Sequence, residues 1–150
     1  MYIDTIMKTS CRSIDIVNMA SHNIFIFMSK KGTSELGFFA EHYASEYLKS
    51  KSYNVLGHNY RKPWGEIDII VEKEGVVIFV EVKASKKDVV GFEPELRVNQ
   101  DKKYRMARIA RTYLSDNNYP NEQPWQLDVI AVAFEKERGV AKIRHYKNID

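Results

Sequence analysis

Two acidic residues and a lysine near the middle of the chain have the types and spacing for metal-dependent chemistry. Asp68 and Glu81 lie in two alternating segments joined by a Glu-Gly dipeptide at 74–75, and its glycine favours a tight hairpin turn. The register of that hairpin places Asp68 directly opposite Glu81, and Glu66 directly opposite Lys83. These four side chains then share one face, because side chains alternate along a strand. The other face is apolar and must be buried: Ile67, Ile69, Val71, Val76, Ile78, Val80 and Val82.

Opposed carboxylates are unfavourable in a purely structural hairpin. At about 4 Å, two negative charges repel by about 4 kcal/mol for an effective dielectric constant of about 20. A divalent cation removes this repulsion, and carboxylate oxygens are the ligands that Mg²⁺ and Mn²⁺ prefer. The hairpin therefore predicts a Mg²⁺ or Mn²⁺ site on Asp68 and Glu81, with the ammonium group of Lys83 beside it.

The composition favours one globular domain in a reducing compartment. The chain has 150 residues, of which 44% are hydrophobic and 29% are charged, as in ordinary globular proteins. Cys11 is the one cysteine, so these residues hold no internal disulfide. No apolar run approaches the roughly 18 residues of a membrane helix. We therefore expect a cytoplasmic protein without a membrane segment.

Hydrophobic periodicity predicts the element order α-β-β-β-α-β-β, a mixed α/β sheet of about five strands flanked by helices. Apolar residues spaced by three and four predict helices at 34–51 and 100–115. The strand at 126–134 is apolar on both faces, which is typical of the middle of a sheet. The strand at 140–146 carries two basic residues and is expected at an edge.

The first 31 residues have no clean periodicity. We predict that 1–31 form a flexible N-terminal extension to a domain that spans 32–150. In an alternative interpretation, the apolar residues at 24–27 add a strand or an intermolecular contact.

Positive charge is concentrated after the hairpin. From Lys83 to Arg111 there are nine Lys or Arg and four Asp or Glu. A run of charge on a helix can be an ordinary solvated face, but here the sign is nearly uniform. We therefore expect contacts with nucleic-acid phosphates from the loop and helix residues Lys86, Lys87, Lys102, Arg105 and Arg108.

An Asp followed thirteen residues later by Glu-x-Lys resembles the motif of the PD-(D/E)xK nuclease superfamily. A longer pattern is similar to the YraN family of small bacterial proteins, over about residues 32–148. That pattern comprises Gly37, Ala40, Glu41, Ala44, Tyr47, Leu48, Tyr53, Asn59-Tyr60-Arg61, Gly65 to Ile70, Phe79 to Lys83, Lys102, Arg105, Ala110 and Leu127 to Val132.

This resemblance implies a restriction-endonuclease-like fold, related to archaeal Holliday-junction resolvases. It implies that Asp68, Glu81 and Lys83 are catalytic. It also implies that Glu41, on the first helix, joins Asp68 and Glu81 as a metal ligand. Glu66 is either a further member of the site or an ion-pair partner of Lys83.

Asp128 matches a family position for which the residues give no physical role. By analogy with the junction resolvases, which act as dimers, we also expect that this protein can form a homodimer.

The sequence thus predicts a metal-dependent endonuclease that hydrolyses phosphodiester bonds in DNA, including branched or otherwise structured DNA. Two alternatives remain open. The same fold can bind nucleic acid through its basic surface without cutting it, and the charged hairpin can be the solvated edge of a structural subunit. Binding of Mn²⁺ separates the last of these from the others.

Overall fold

The computed structural model describes residues 14–19, 33–86 and 99–149, which form six strands and two α-helices. In chain order the elements are β1 (Ile14–Asn18), α1 (Thr33–Ser50), β2 (Asn54–Lys62), β3 (Gly65–Lys73), β4 (Val76–Ser85), α2 (Gln100–Asp116), β5 (Trp125–Glu135), a short 3₁₀ helix (Lys136–Arg138) and β6 (Val140–Tyr146). Asn99 caps α2, because its side chain accepts a hydrogen bond from the Lys102 backbone N–H at 2.9 Å. Neither helix of the described chain combines the length and the apolar character of a bilayer-spanning segment.

The six strands form one mixed sheet in the order β1-β6-β5-β4-β3-β2. Strands β4 and β5 are parallel, and every other neighbouring pair is antiparallel. Helix α2 connects the two parallel strands and therefore lies against one face of the sheet. The predicted mixed α/β architecture is confirmed, and it is consistent with the restriction-endonuclease-like core that the resemblance implies.

The sheet extends one strand further than the predicted five. Strand β1 pairs antiparallel with β6, from Ile14 opposite Arg144 to Asn18 opposite Val140. The expectation that β6 is an edge strand is therefore wrong, because β1 lies within the predicted extension and covers that edge. β5 lies inside the sheet, as predicted. Residues 1–13 and 20–31 of the extension, including 24–27, lie outside the described residues, and the domain boundary at residue 32 stays a prediction.

The sheet separates two hydrophobic cores. On one face, the α1-side core combines the apolar stripe of α1, including Tyr43 and Leu48, with alternate sheet residues such as Val80 and Ile130. On the other face, the α2-side core is built by the apolar residues of α2 and the intervening sheet residues: Met106, Ile109, Ala110, Leu114, Ile70, Val77, Phe79, Leu127 and Val129. Because each helix covers one face, both sides of the central strands are buried.

The β3–β4 hairpin has the predicted turn and register. Glu74 and Gly75 both have positive φ, 53° and 79°, as a tight two-residue turn requires. From this turn the strands pair without interruption as far as Ile69 opposite Val80. The turn dipeptide therefore fixes the pairing of β3 with β4 over this regular part of the hairpin.

Gly65, at the start of β3, gives a first testable prediction. Its φ is 153°, and a Cβ atom there would lie 2.8 Å from Cδ1 of the buried Ile109. We expect Gly65→Ala to lower the free energy of unfolding by about 1–3 kcal/mol, through crowding and backbone strain. Urea denaturation measures this loss.

The double variant Gly65→Ala/Ile109→Val separates the two contributions. Valine lacks Cδ1, so the double variant should lose less stability than the sum of the two single variants. Strictly additive losses would show that contact with Ile109 does not limit residue 65.

Candidate functional site

The Asp68 carboxylate lies where β3 and β4 separate. Counted from the turn, backbone pairing between these strands ends at Ile69 opposite Val80, and Asp68 is the next residue of β3. Asp68 Oδ2 accepts a hydrogen bond from the Val82 backbone N–H at 2.7 Å. A side-chain oxygen thus takes the donor that a backbone carbonyl of β3 would take in a continued ladder. The negative charge of Glu81 still lies close enough to Asp68 to raise the pKa of that carboxyl group.

The separation of the strands reverses the side-chain alternation of β3. Ile69 packs in the α1-side core and Ile70 in the α2-side core, as alternation requires, but Ile67 also packs in the α2-side core. The prediction that Ile67 and Ile69 share one apolar face is therefore wrong. The physical reason is local: Asp68 leaves the regular ladder when its carboxylate accepts the Val82 N–H.

Glu66 is displaced by the same irregularity. Its carboxylate pairs with Nε of Arg61 on β2, at 2.9 Å, and these two residues are cross-strand partners. The interpretation of Glu66 as the ion-pair partner of Lys83 is therefore wrong, because Lys83 pairs with Glu81. Glu66 is an exposed ion-pair partner of Arg61, and its negative charge remains near enough to Asp68 to raise the pKa of that carboxyl group.

A second irregular residue, Asn59 of β2, lies in the row of Asp68. The neighbours of Asn59 on both sides pair with the neighbours of Asp68, while Asn59 has a left-handed φ of 51°, which asparagine tolerates better than most residues. The Asn59 amide donates a hydrogen bond to Glu41 Oε2 at 3.2 Å. Phe38, Glu41, Asn59 and Arg61 line a cleft of about 470 Å³. The sequence gives Asn59 no role beyond its place in the family pattern, and α1 and β2 together place it beside Glu41.

Glu81 is buried, with only 5% of its surface exposed. Its Oε1 atom forms two ion pairs, with Lys83 Nζ at 2.9 Å and with Lys102 Nζ at 2.8 Å. Lys102 reaches this position from the first turn of α2, the helix that crosses from β4 to β5. The sequence predicted Lys102 as a surface phosphate contact, so its proximity to Glu81 is a tertiary feature that helical periodicity did not reveal.

The environment of Asp68 disfavours its ionised form. Burial raises the pKa of Asp68 to about 7, and the negative charge of Glu81 contributes in the same direction. The hydrogen bond from the Val82 backbone opposes the shift, whereas the charges of Glu41 and Glu66 add to it. A cation bound beside Asp68 would relieve both the desolvation and the repulsion.

The donor set suits a hard divalent cation held by two protein carboxylates. Mg²⁺ commonly binds one or two carboxylates and takes its remaining ligands from water and phosphate, and Asp68 and Glu81 supply two. Among residues 14–19, 33–86 and 99–149, no three His, Cys, Asp or Glu side chains lie close enough to hold one ion. Glu41 is instead bonded to Asn59, so its place among the metal ligands stays a prediction.

The other basic residues predicted to contact nucleic acid are not the lysines that pair with Glu81. Lys86 and Arg105 are exposed, and Lys87 lies outside the described residues. The guanidinium of Arg108 lies over the Trp64 ring, 4.5 Å from its centroid, in a cation–π contact. Next to it, a cleft of about 420 Å³ is lined by Tyr104, Arg108, Arg111, Thr112, Ser115 and Asp116.

Asp128 belongs to a different cluster. It is fully buried, and Oδ2 accepts a hydrogen bond from His145 Nε2 at 2.7 Å. Oδ1 accepts hydrogen bonds from the Gln126 side chain at 2.8 Å and from the Asn148 backbone N–H at 2.9 Å. These bonds tie β5 to the end of β6, which gives Asp128 a structural role that the sequence alone did not supply.

Comparison with known proteins places these features in a family. Residues 40–132 match the model of an uncharacterised protein family, UPF0102. The chain is 38% identical over 114 residues to a UPF0102 protein of Thermodesulfovibrio yellowstonii, which covers 76% of this chain and 94% of the relative. It is 39% identical over 109 residues to one of Aquifex aeolicus, with coverage of 73% and 90%. Over 123 residues it is 37% identical to one of Alkaliphilus oremlandii, with coverage of 81% and 98%.

The chain therefore belongs to the UPF0102 family, and the resemblance to the YraN family, another designation of the same group, is confirmed. The matched residues include the whole β3–β4 hairpin and all of α2.

Proposed function

We propose that this protein is a metal-dependent endonuclease that uses Mg²⁺ or Mn²⁺ to hydrolyse phosphodiester bonds in DNA. The observation that carries the proposal is that Glu81 lies close enough to Asp68 to raise the pKa of that carboxyl group, where β3 and β4 separate, and that two lysine ammonium groups lie on Glu81. Carboxylates for a hard cation, combined with ammonium groups for phosphate oxygens, are what phosphoryl-transfer chemistry needs.

Each residue has a separate task in this proposal. Asp68 and Glu81 hold the cation, and the Val82 N–H fixes the orientation of the Asp68 carboxylate. Mg²⁺ or Mn²⁺ bound there supplies Lewis-acid polarisation of the scissile phosphate and lowers the pKa of the attacking water. Lys83 stabilises the charge that develops on the phosphate oxygens. Glu41 adds negative charge from the α1 side and is the predicted third ligand.

The reaction adds water across one phosphodiester bond. The water oxygen forms a bond to phosphorus, the bond from phosphorus to the leaving sugar oxygen breaks, and that oxygen takes up a proton. The attacking water gives up one proton to the surrounding solvent, a loss that a cation held by Asp68 and Glu81 would favour. The exposed residues Lys86, Arg105 and Arg108 contact backbone phosphates away from the reacting group, so DNA binding should weaken steeply with salt.

Structured DNA as the substrate and a homodimer as the active form rest on the resolvase analogy alone. One observation favours the alternative of a nucleic-acid-binding module that does not cut DNA. Glu81 already has two cationic partners, so the hairpin does not need a metal ion to neutralise that carboxylate. The two functions differ in whether the protein binds a divalent cation and cleaves DNA.

Calorimetric titration with Mn²⁺, followed by a cleavage screen, tests the proposal. We expect wild-type protein to bind Mn²⁺ and to cut at least one of four DNA substrates (branched, flapped, duplex or single-stranded). Glu81→Gln should lower Mn²⁺ affinity by at least about tenfold, because it removes a charged ligand. Glu122→Gln, a change at an exposed loop residue, is the matched control and should bind like wild type.

Two results would contradict the proposal. If wild-type protein does not bind Mn²⁺, the proposed metal site does not exist. If it binds Mn²⁺ but cuts none of the substrates, the result supports the non-catalytic nucleic-acid-binding module.

A further inference from the structure

Lys102 connects the candidate metal site to the surface of α2. Its ammonium group lies 2.8 Å from Glu81 Oε1, and its side chain is 31% exposed whereas that of Glu81 is 7% exposed. The long aliphatic stem thus lets a charge based on a helix reach a carboxylate buried in the sheet. The same oxygen accepts Lys83 Nζ at 2.9 Å, so one carboxylate oxygen has two cationic partners.

A divalent cation at Glu81 changes this balance. Its positive charge would come close to both ammonium groups, and like charges at such short range repel each other. Lys83 extends from the same strand as Glu81 and remains beside the ion. The two lysine side chains are similarly exposed, Lys83 at 37% and Lys102 at 31%. Lys102 comes from a separate element, so its ammonium group can rotate away from Glu81 towards solvent.

We propose that Lys102 exchanges partners: it pairs with Glu81 until a divalent cation takes that carboxylate, and then binds a backbone phosphate of the DNA. This inference rests on the proposed function and adds a coupling to it. The cation makes a phosphate-binding ammonium group available, so cation and DNA bind cooperatively. By linkage, DNA must raise the affinity for the cation by the same factor. The lysine is therefore a positioning residue for the substrate phosphate.

The coupling is measured without any cleavage. The probe is a fluorescein-labelled DNA duplex with a single-stranded flap, and its affinity is measured by anisotropy with EDTA and with Ca²⁺, an oxygen-preferring cation. We expect Ca²⁺ to tighten DNA binding by wild-type protein by about tenfold, a typical size for such coupling. Lys102→Met should abolish that increment. It should also raise Mn²⁺ affinity measured by calorimetry without DNA, because a competitor for Glu81 is gone.

Two further variants control for charge and for folding. Lys103→Met removes the next lysine of the same helix and should keep the full increment. Lys102→Arg keeps a cation of similar reach and should restore at least part of it. Thermal unfolding of each variant confirms that it is folded at the assay temperature.

Three outcomes would overturn the inference. An equal loss of DNA affinity with EDTA and with Ca²⁺ in Lys102→Met would make Lys102 a fixed phosphate contact. Unchanged DNA binding in both conditions would make the bond to Glu81 purely structural. Absence of Mn²⁺ binding by wild-type protein would overturn the proposed function as well, whereas the first two outcomes leave that function intact.

Discussion

Replacing Asp68 by Asn should abolish Mn²⁺ binding and DNA cleavage while it makes the protein without added metal more stable above neutral pH. Asn is nearly isosteric, and its side-chain oxygen can still accept the Val82 N–H. It lacks the negative charge that a cation requires, so Mn²⁺ affinity should fall by more than about tenfold. It also lacks the charge that burial and Glu81 make unfavourable in the folded protein.

The pH dependence follows from the raised pKa of Asp68. In the folded protein this carboxyl group has a pKa of about 7, against an ordinary value of 3.8. Between these values the folded state holds a proton that the unfolded state has released, so stability falls as pH rises through this interval. Below about pH 4 the Asn variant should gain nothing. Above about pH 7 it should gain roughly 2–4 kcal/mol, the full effect of the shifted group.

Thermal unfolding of both proteins from acidic to alkaline pH, with and without Mn²⁺, measures both effects. Without added metal, the Asn variant should have the higher melting temperature at pH 8. Saturating Mn²⁺ should raise the melting temperature of wild type alone, because only wild type binds the ion. A stability difference that does not change with pH would show that ionisation of Asp68 does not destabilise the folded protein. Stabilisation of the Asn variant by Mn²⁺ would show that the metal binds at another site.

The second large effect is expected at Asp128. Replacing Asp128 by Ala removes the acceptor of three hydrogen bonds and leaves His145, Gln126 and the Asn148 N–H without that partner. Removal of one member of such a buried network should lower the free energy of unfolding by about 3–5 kcal/mol. Urea denaturation measures this loss.

Asp128→Asn separates a structural role from a catalytic one. Asn keeps an acceptor oxygen, so it should lose less stability than Ala and remain folded. Its Mn²⁺ affinity should equal that of wild type, because the bonds of Asp128 go to β5, β6 and the residues after β6. Loss of Mn²⁺ binding by a folded Asn variant would instead connect Asp128 to the carboxylate site.

The fold was predictable where local patterns determine it. The apolar spacing of residues such as Tyr43 and Ile109 located both helices, and the turn dipeptide at 74–75 fixed the hairpin register. Strand β1 was missed because five residues, Ile14–Asn18, carry too little periodicity to be distinguished from a loop. Its pairing with β6 depends on residues at the other end of the sequence.

The site was predictable only where the β3–β4 ladder is regular, and not where the Asp68 side chain takes the place of a backbone hydrogen-bond acceptor. The register placed Asp68 and Glu81 together, but strict alternation misplaced Glu66, because it cannot anticipate that Asp68 accepts the Val82 N–H. In the same way, periodicity located Lys102 on α2 without showing that the helix brings it to Glu81. Both features arise from tertiary packing.

Strand β1 also has a consequence for association between molecules. Unpaired strand edges present backbone donors and acceptors that another chain can pair with, and such edges promote aggregation. By pairing with β6 from Ile14 to Asn18, this short strand occupies hydrogen-bonding groups that β6 would otherwise expose. A strand recruited from far away in the sequence thus covers the edge of β6, and variants that detach β1 should be more prone to edge-to-edge self-association than variants at Asp68 or Glu81.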